Sequence, residues 1–167
     1  MKNLLAAVDF STCTAAVLEQ AEWLAQQLKA KLWILHVSTD ETASLALTTS
    51  FSDYAPEMTS MPGDVQLARD TSAEELKREH TELLSLSAKL RAREIDTRAL
   101  LVRGNPAAEI LAKAEEHKME LIILGSHGHG LLHKALLGSV SEAVIHHAKC
   151  NVLIVPQPDK KTTPPIL

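Results

Sequence analysis

Cysteine is scarce in this chain, which has Cys13 and Cys150 and no others. Two such distant residues make no disulfide framework, and neither falls in a CxxC or similar metal-binding spacing, so no staple or zinc cluster is expected. An excess of charge of one sign is missing too. The formal net charge is -4 and lysines and arginines are scattered along the chain, unlike the clustered basic surface of a nucleic-acid binder. DNA and RNA are therefore not expected as partners. Long apolar runs are also absent: the opening stretch to Val8 is too short for a signal peptide, and nothing approaches the roughly 20 apolar residues of a membrane-spanning helix. A protein of the reducing cytoplasm fits these absences. There is no G-x4-G-K-[ST] loop to grip β- and γ-phosphates for rapid phosphoryl transfer, and Gly128-His129-Gly130 lacks the spacing of a dinucleotide fingerprint.

What is present is ample apolar material. With 167 residues, of which 46% are hydrophobic, the chain can bury one core without a second domain. That domain is expected over residues 1–156, with 157–167, rich in proline and lysine, as a frayed tail. Leu4–Val8, Lys31–Val37, Arg98–Val102, Leu121–Leu124 and Val152–Val155 are short apolar runs that do not alternate with polar residues. Such runs predict strands covered on both faces, as in a parallel sheet flanked by helices. Helical periodicity fills the gaps: Val17, Ala21, Leu24 and Leu28; then Leu76, Leu83, Leu86 and Leu90; then Ile110, Leu111 and Ala114; then Val140, Ala143, Val144 and His147. Asn105-Pro106 opens the third helix as cap and first residue, Ser139 with Glu142 has the form of a capping box for the fourth, and Ser11 and Thr12 are the candidate caps of the first.

The alternation predicts a single α/β domain with a doubly wound, Rossmann-like, five-stranded parallel sheet in the order 3-2-1-4-5 and helices on both faces. In that order strands one and four are neighbours whose connections leave in opposite directions, which opens a crevice over their carboxyl ends. Asp9 follows strand one, and Gly125-Ser126-His127-Gly128 follows strand four. After nine more residues come Gly138-Ser139, at the start of the last helix. Glycine lets backbone N–H groups approach a phosphate closely, and a helix N-terminus adds unpaired donors and a favourable dipole. A nucleotide phosphate is the simplest guest. The stretch from Ser38 to Asp70 shows no periodicity and is expected as a long loop, either a lid over the crevice or a surface excursion.

These residues match a known pattern. The opening Ala6-Ala7-Val8-Asp9-Phe10-Ser11, the Leu35-His36-Val37 ending of strand two, Val102-Arg103-Gly104-Asn105-Pro106 and the complete G-x2-G-x9-G-[ST] motif together resemble the universal stress protein family, in its ATP-binding branch. The resemblance covers nearly the whole chain and departs from it at Ala7, where many relatives have proline. It implies a dimeric domain that binds ATP or AMP, with Mg²⁺ reaching the site through the nucleotide phosphates. It places Asp9 and the Val37 backbone at adenine, with Val8 and Leu124 beside them, and Gly125, His127 and Gly128 along the ribose and phosphates. Gly138, Ser139, Val140 and Ser141 close around the phosphates with backbone and hydroxyl donors. It also implies pairing of the Val152–Val155 edge strands across a two-fold axis, and regulation of a client protein.

Other roles for the same residues stay open at this stage. Asp9 could hydrogen-bond its own turn, and Gly125 and Gly128 could serve only as turn formers. His127, His129 and His133 lack acidic or cysteine companions in their loop, so no metal site is expected there. Lys134 stands near phosphate or in solvent. Cys13 and Cys150 read as small core or surface residues in preference to redox switches, and Trp23 and Trp33 as packing residues. No nucleophile, base and orienting partner assemble from one neighbourhood. A nucleotide-binding regulator is the leading function, with a slow Mg²⁺-dependent ATP hydrolase or phosphotransferase acting through Ser139 or Ser141 as the alternative and a non-binding adaptor as the third.

Overall fold

The computed structural model describes residues 2–39, 62–126 and 137–157, with the backbone alone described for 62–70. Among these residues five strands and four helices follow in sequence: β1 (Asn3–Val8), α1 (Thr14–Leu28), β2 (Lys31–Ser38), α2 (Pro62–Arg91), β3 (Thr97–Arg103), α3 (Pro106–Glu116), β4 (Leu121–Gly125), α4 (Ser139–His147) and β5 (Asn151–Val155). The strands form one sheet in the order β3-β2-β1-β4-β5. Every pairing is parallel, including the β1–β4 junction, where Leu4 sits opposite Leu121 and Ala6 opposite Ile123. The expected strand order and fold class are therefore those observed.

Burial on both faces explains the apolar runs. Because successive side chains of a strand point to opposite faces, Leu4, Ala6, Leu32 and Ile34 pack with Val17, Ala21 and Ala25 of α1 and Leu83 and Leu90 of α2. Leu5, Trp33, Leu35, Ile122 and Leu124 pack on the other face with Ile110 and Ala114 of α3 and Val144 of α4. The central strands carry side chains with essentially no exposure, such as Leu5, Ile34 and Ile122. Each such side chain contributes about 1.5–3 kcal/mol of burial free energy, so the two-layer core dominates stability. At the sheet edge, Val152, Leu153 and Ile154 of β5 are half-buried.

Four local expectations need correction. The segment Pro62–Asp70, expected to be part of the long loop, belongs to α2, and β2 runs one residue further than expected, to Ser38. Hydrophobic periodicity reports a buried face rather than helicity, and the proline at the first helical position is the local start signal. The rest of the expected loop, residues 40–61, the histidine-bearing stretch 127–136 and residues 158–167 of the expected tail lie outside the described residues. The capping box at Ser139 is not formed. Gly138 is the N-cap, no side chain caps this end, and Glu142 stands one position too far along to reach back. At α1 the cap position falls on Cys13 instead of Ser11 or Thr12, although the Ser11 hydroxyl oxygen accepts from the Cys13 N–H at 3.3 Å. Trp23 is 56% exposed and does not pack in the core. Trp33 does, stacked on His117 at 4.3 Å between ring centroids with the Arg98 guanidinium on it at 5.1 Å.

The third helix starts as expected. Asn105 is extended, with φ -76° and ψ 122°, and its side chain accepts from the Ala108 N–H at 3.1 Å, with Pro106 at the first helical position. Gly104 before it has φ +149°, in a region that L side chains rarely adopt. Its N–H donates to the Ser38 carbonyl at 3.2 Å, which ties the carboxyl end of β2 to that of β3.

Candidate functional site

The carboxyl ends of β1, β2 and β4 face the N-terminal ends of α1, α3 and α4 across a cavity of about 620 Å³. A volume of that size suits a ligand with the dimensions of a nucleotide. Val8, Asp9, Val37, Leu124, Gly125, Gly138, Ser139, Val140 and Ser141 all line it. These are all the candidate residues that fall among the described positions, since His127 and Gly128 lie outside them. Strand order explains the convergence: β1 and β4 pair directly, so Asp9 and Gly125, far apart in sequence, leave the sheet side by side.

Several polar groups at the crevice already have part of their bonding spent. Asp9 Oδ1 accepts from the Ser11 N–H at 3.0 Å. The turn-bonding role of Asp9 is thus real, and it coexists with a place on the cavity wall. The Gly138 N–H donates to the Ser126 carbonyl at 2.8 Å, and the Ser126 N–H donates to the Val155 carbonyl at 2.8 Å. These bonds clamp the end of the glycine turn onto β5 and remove the Gly138 N–H from the donors aimed at a ligand. The first bond of the α4 ladder runs from the Glu142 N–H to the Gly138 carbonyl at 2.9 Å. The N–H groups of Ser139, Val140 and Ser141 therefore precede the ladder and form the helix's donor end. Gly138 itself has φ -65° and ψ 151°, which any residue can adopt, and it is buried at the cavity wall.

The two serines separate in role. Ser139 is exposed at the first helical position, whereas Ser141 is 4% exposed and its Oγ donates to the Gly125 carbonyl at 2.7 Å. The hydroxyl hydrogen expected to point at phosphate is committed at Ser141, where it instead holds α4 against the end of β4. Ser139 lines the cavity and is exposed.

The cavity extends beyond these residues, toward α1 and α2. Phe10, Thr14, His36, Arg78, Glu79 and Glu82 line that part. Phe10 has φ 57°, a left-handed conformation that is uncommon for an aromatic residue and clusters at functional turns. Its ring lies 4.3 Å from that of His36. A histidine inside an otherwise apolar buried strand was a readable signal at Leu35-His36-Val37, because polar side chains are seldom fully buried without a task. The helix residues Arg78, Glu79 and Glu82 carried no comparable sign.

Among the described residues no three histidine, cysteine or acidic side chains converge in a metal-binding group. None of the described helices is long and apolar enough to cross a membrane.

Comparison with known proteins agrees with this fold. The model of the Universal stress protein family matches residues 1–156. Universal stress protein YxiE of Bacillus subtilis is 34% identical over 155 residues, covering 92% of this chain and 97% of its own. Among solved structures, the hypothetical protein MJ0577 superposes with a TM-score of 0.75 at 22% identity, over 95% of this chain and 98% of its own. A universal stress protein in complex with cAMP gives a TM-score of 0.60 at 20% identity over 94% of this chain and 98% of its own. The Archaeoglobus fulgidus protein in complex with dAMP gives 0.55 at 18%, over 93% and 98%. At these identities the structural likenesses establish the shared fold.

Proposed function

The chain belongs to the universal stress protein family, and from that premise we propose that it is an adenine-nucleotide-binding regulatory protein of the stress response. The observation that carries the reading is the cavity over β1 and β4, lined at one end by Asp9 and Val37 and at the other by Gly125 and the uncapped start of α4. A helix end whose leading N–H groups face a cavity favours an anion there, through both the free donors and the helix dipole. Complexes of two fold relatives with cAMP and dAMP support adenine as the base.

In this reading adenine lies toward Asp9, the Val37 backbone, Val8 and Leu124, and the phosphates lie against Gly125, Ser139, Val140 and Ser141, with His127 and Gly128 completing the turn. ATP or AMP is the ligand, and Mg²⁺ enters with the phosphates. The protein holds the nucleotide as a signal instead of consuming it rapidly. Regulation requires a ligand to bind two states with different affinity, and here those states differ in a client protein's docking or in dimer pairing. The dimer forms through the Val152–Val155 edge, because an apolar strand edge is normally paired or protected. Residues 1–156 act as the nucleotide-binding domain in the cytoplasm, with 157–167 as a tail.

Calorimetric titration of nucleotide-stripped protein with ATP, ADP and AMP, with and without Mg²⁺, tests the proposal. Saturable binding that Gly138→Val abolishes supports it, and absence of binding to folded protein refutes it.

A further inference from the structure

The imidazole of His36 touches both chain neighbours of Asp9. Its Nδ1 lies 2.8 Å from the Val8 carbonyl oxygen, and its ring is 4.3 Å from that of Phe10, centroid to centroid. Val8 and His36 are register partners at the carboxyl ends of β1 and β2, so these contacts form where the sheet stops and the turn carrying Asp9 begins. Phe10 holds φ 57°, a left-handed backbone that a bulky residue keeps only when its surroundings fix it. The imidazole, 6% exposed, is one of those surroundings.

Its other nitrogen faces α2. A carbonyl can only accept, so Nδ1 carries the hydrogen, and in the neutral ring Nε2 presents a lone pair. Nε2 lies 3.4 Å from Glu79 Oε1 with no hydrogen bond closed between them, and Glu79 Oε2 is buried without a hydrogen-bond partner among the described residues. Two acceptors facing each other away from water repel. One proton between them turns the same approach into a charge-assisted hydrogen bond, which has a shorter span of about 2.7–2.9 Å. The contact therefore has two arrangements, closed with the proton and open without it. Around the imidazole, the end of β1 contributes Asp9, whose Oδ1 accepts from the Ser11 N–H, and α1 contributes the buried Cys13 thiol. Arg78 and Glu82 of α2 line the same cavity, and β3 sets the apolar Leu101 opposite His36.

We propose that His36 and Glu79 share one proton, and that His36 is a positioning residue which sets the turn carrying Asp9 through Val8 and Phe10. This role rests on the nucleotide reading of the crevice and adds pH as a control of that same site. With the proton bound, α2 is drawn onto the sheet and Asp9 is held at the adenine end. As pH rises and the proton leaves, the contact opens and nucleotide affinity falls.

The test uses the full-length protein labelled with ¹⁵N and free of nucleotide, from about pH 5 to 8, the range in which an imidazole ordinarily changes charge. The His36 ring nitrogens are assigned by their loss in His36→Gln, and the amides of Asp9 and Phe10 are followed in the same samples. Nε2 is expected to lose its proton as pH rises while Nδ1 keeps its own, and both amides move with that transition. His36→Gln removes the transition from both amides. Glu79→Gln separates a shared proton from ordinary packing, because its amide can donate to the neutral Nε2 and close the contact without any proton. Its Asp9 and Phe10 amides are expected to stay near the parent's acidic positions throughout, whereas those of Glu79→Ala stay near the alkaline ones. AMP is then titrated into the parent and both Glu79 variants at the two ends of the range. Relative to Glu79→Gln, the parent loses up to about tenfold in affinity from the acidic to the alkaline end, the worth of a hydrogen bond to a charged group. Ionisation of the AMP phosphate is common to all three proteins and cancels. The proposal is overturned if Nε2 keeps one protonation state across the range, if the Asp9 and Phe10 amides ignore the His36 transition, or if Glu79→Gln and Glu79→Ala behave alike. It is also overturned if AMP binds all three with the same pH dependence. If AMP binds none of them while the amide pattern holds, the nucleotide reading fails and the shared proton stands on the ligand-free data.

Discussion

Replacing Ser141 by alanine separates what holds the site together from what contacts its ligand. The Ser141 hydroxyl is buried and donates to the Gly125 carbonyl at 2.7 Å, bridging the start of α4 and the end of β4. Its removal loses a hydrogen bond of net worth about 0.5–1.5 kcal/mol and leaves the carbonyl short of a donor, so a total cost of about 1–2 kcal/mol is expected. For a domain of this size each kcal/mol corresponds to a shift of about 2–4 °C in Tm. In urea, with a slope of about 2 kcal/mol/M, the midpoint falls by about 0.5–1 M while the slope stays constant. Ser139→Ala is the paired control. Ser139 is exposed and caps nothing, so its loss changes stability by less than about 0.5 kcal/mol. If its hydroxyl donates to phosphate, the same variant weakens nucleotide binding by about tenfold, the worth of a hydrogen bond to a charged group. Urea melts and calorimetry on the two variants read both quantities. A Ser141→Ala midpoint equal to that of the parent, or a larger loss of stability in Ser139→Ala, would refute the division of labour.

Further predictions concern the scaffold. Asn105→Ala removes the side-chain acceptor from the Ala108 N–H and is expected to cost about 1 kcal/mol, visible in thermal denaturation. Gly104→Ala forces a Cβ onto a residue with φ +149°, where it meets Glu109 Oε1 at 3.0 Å; a loss of about 1–3 kcal/mol follows from the backbone conformation. A Gly104→Ala variant as stable as the parent in urea would show that the turn relaxes freely. Burial pushes the Cys150 thiol above its ordinary pKa, so the reactive thiolate is rarer than in a free cysteine at neutral pH. Native Cys150 is accordingly expected to react with a disulfide reagent more slowly than it does in urea, and equal rates would contradict that environment.

The legible parts of this protein were those in which one residue type has one strong physical use. Apolar runs without alternation marked strands buried on both faces, and Asn105-Pro106 marked a helix start, because a side-chain acceptor followed by a residue without an N–H suits only that place. The crevice was legible because strand order follows from alternation and the candidate residues sit at strand ends. Less legible was anything decided by a single step of register. Ser139 and Glu142 have the right spacing for a capping box, but the helix begins with Gly138 as its cap and shifts both out of use. Pro62–Asp70 shows no hydrophobic stripe and is helical nonetheless. The approach of Glu79 on α2 to His36 on β2 depends on how a long helix docks on the sheet, which no local pattern encodes.

The central claim is that the crevice between β1 and β4 binds an adenine nucleotide, and amide chemical-shift mapping with AMP on ¹⁵N-labelled protein tests it most directly. Saturable shifts are expected at Asp9, Val37, Gly125 and Ser139 to Ser141, with the sheet's opposite end unchanged. Saturable shifts confined to the smaller hollow near Met119 and Cys150, or none on folded protein, would contradict it.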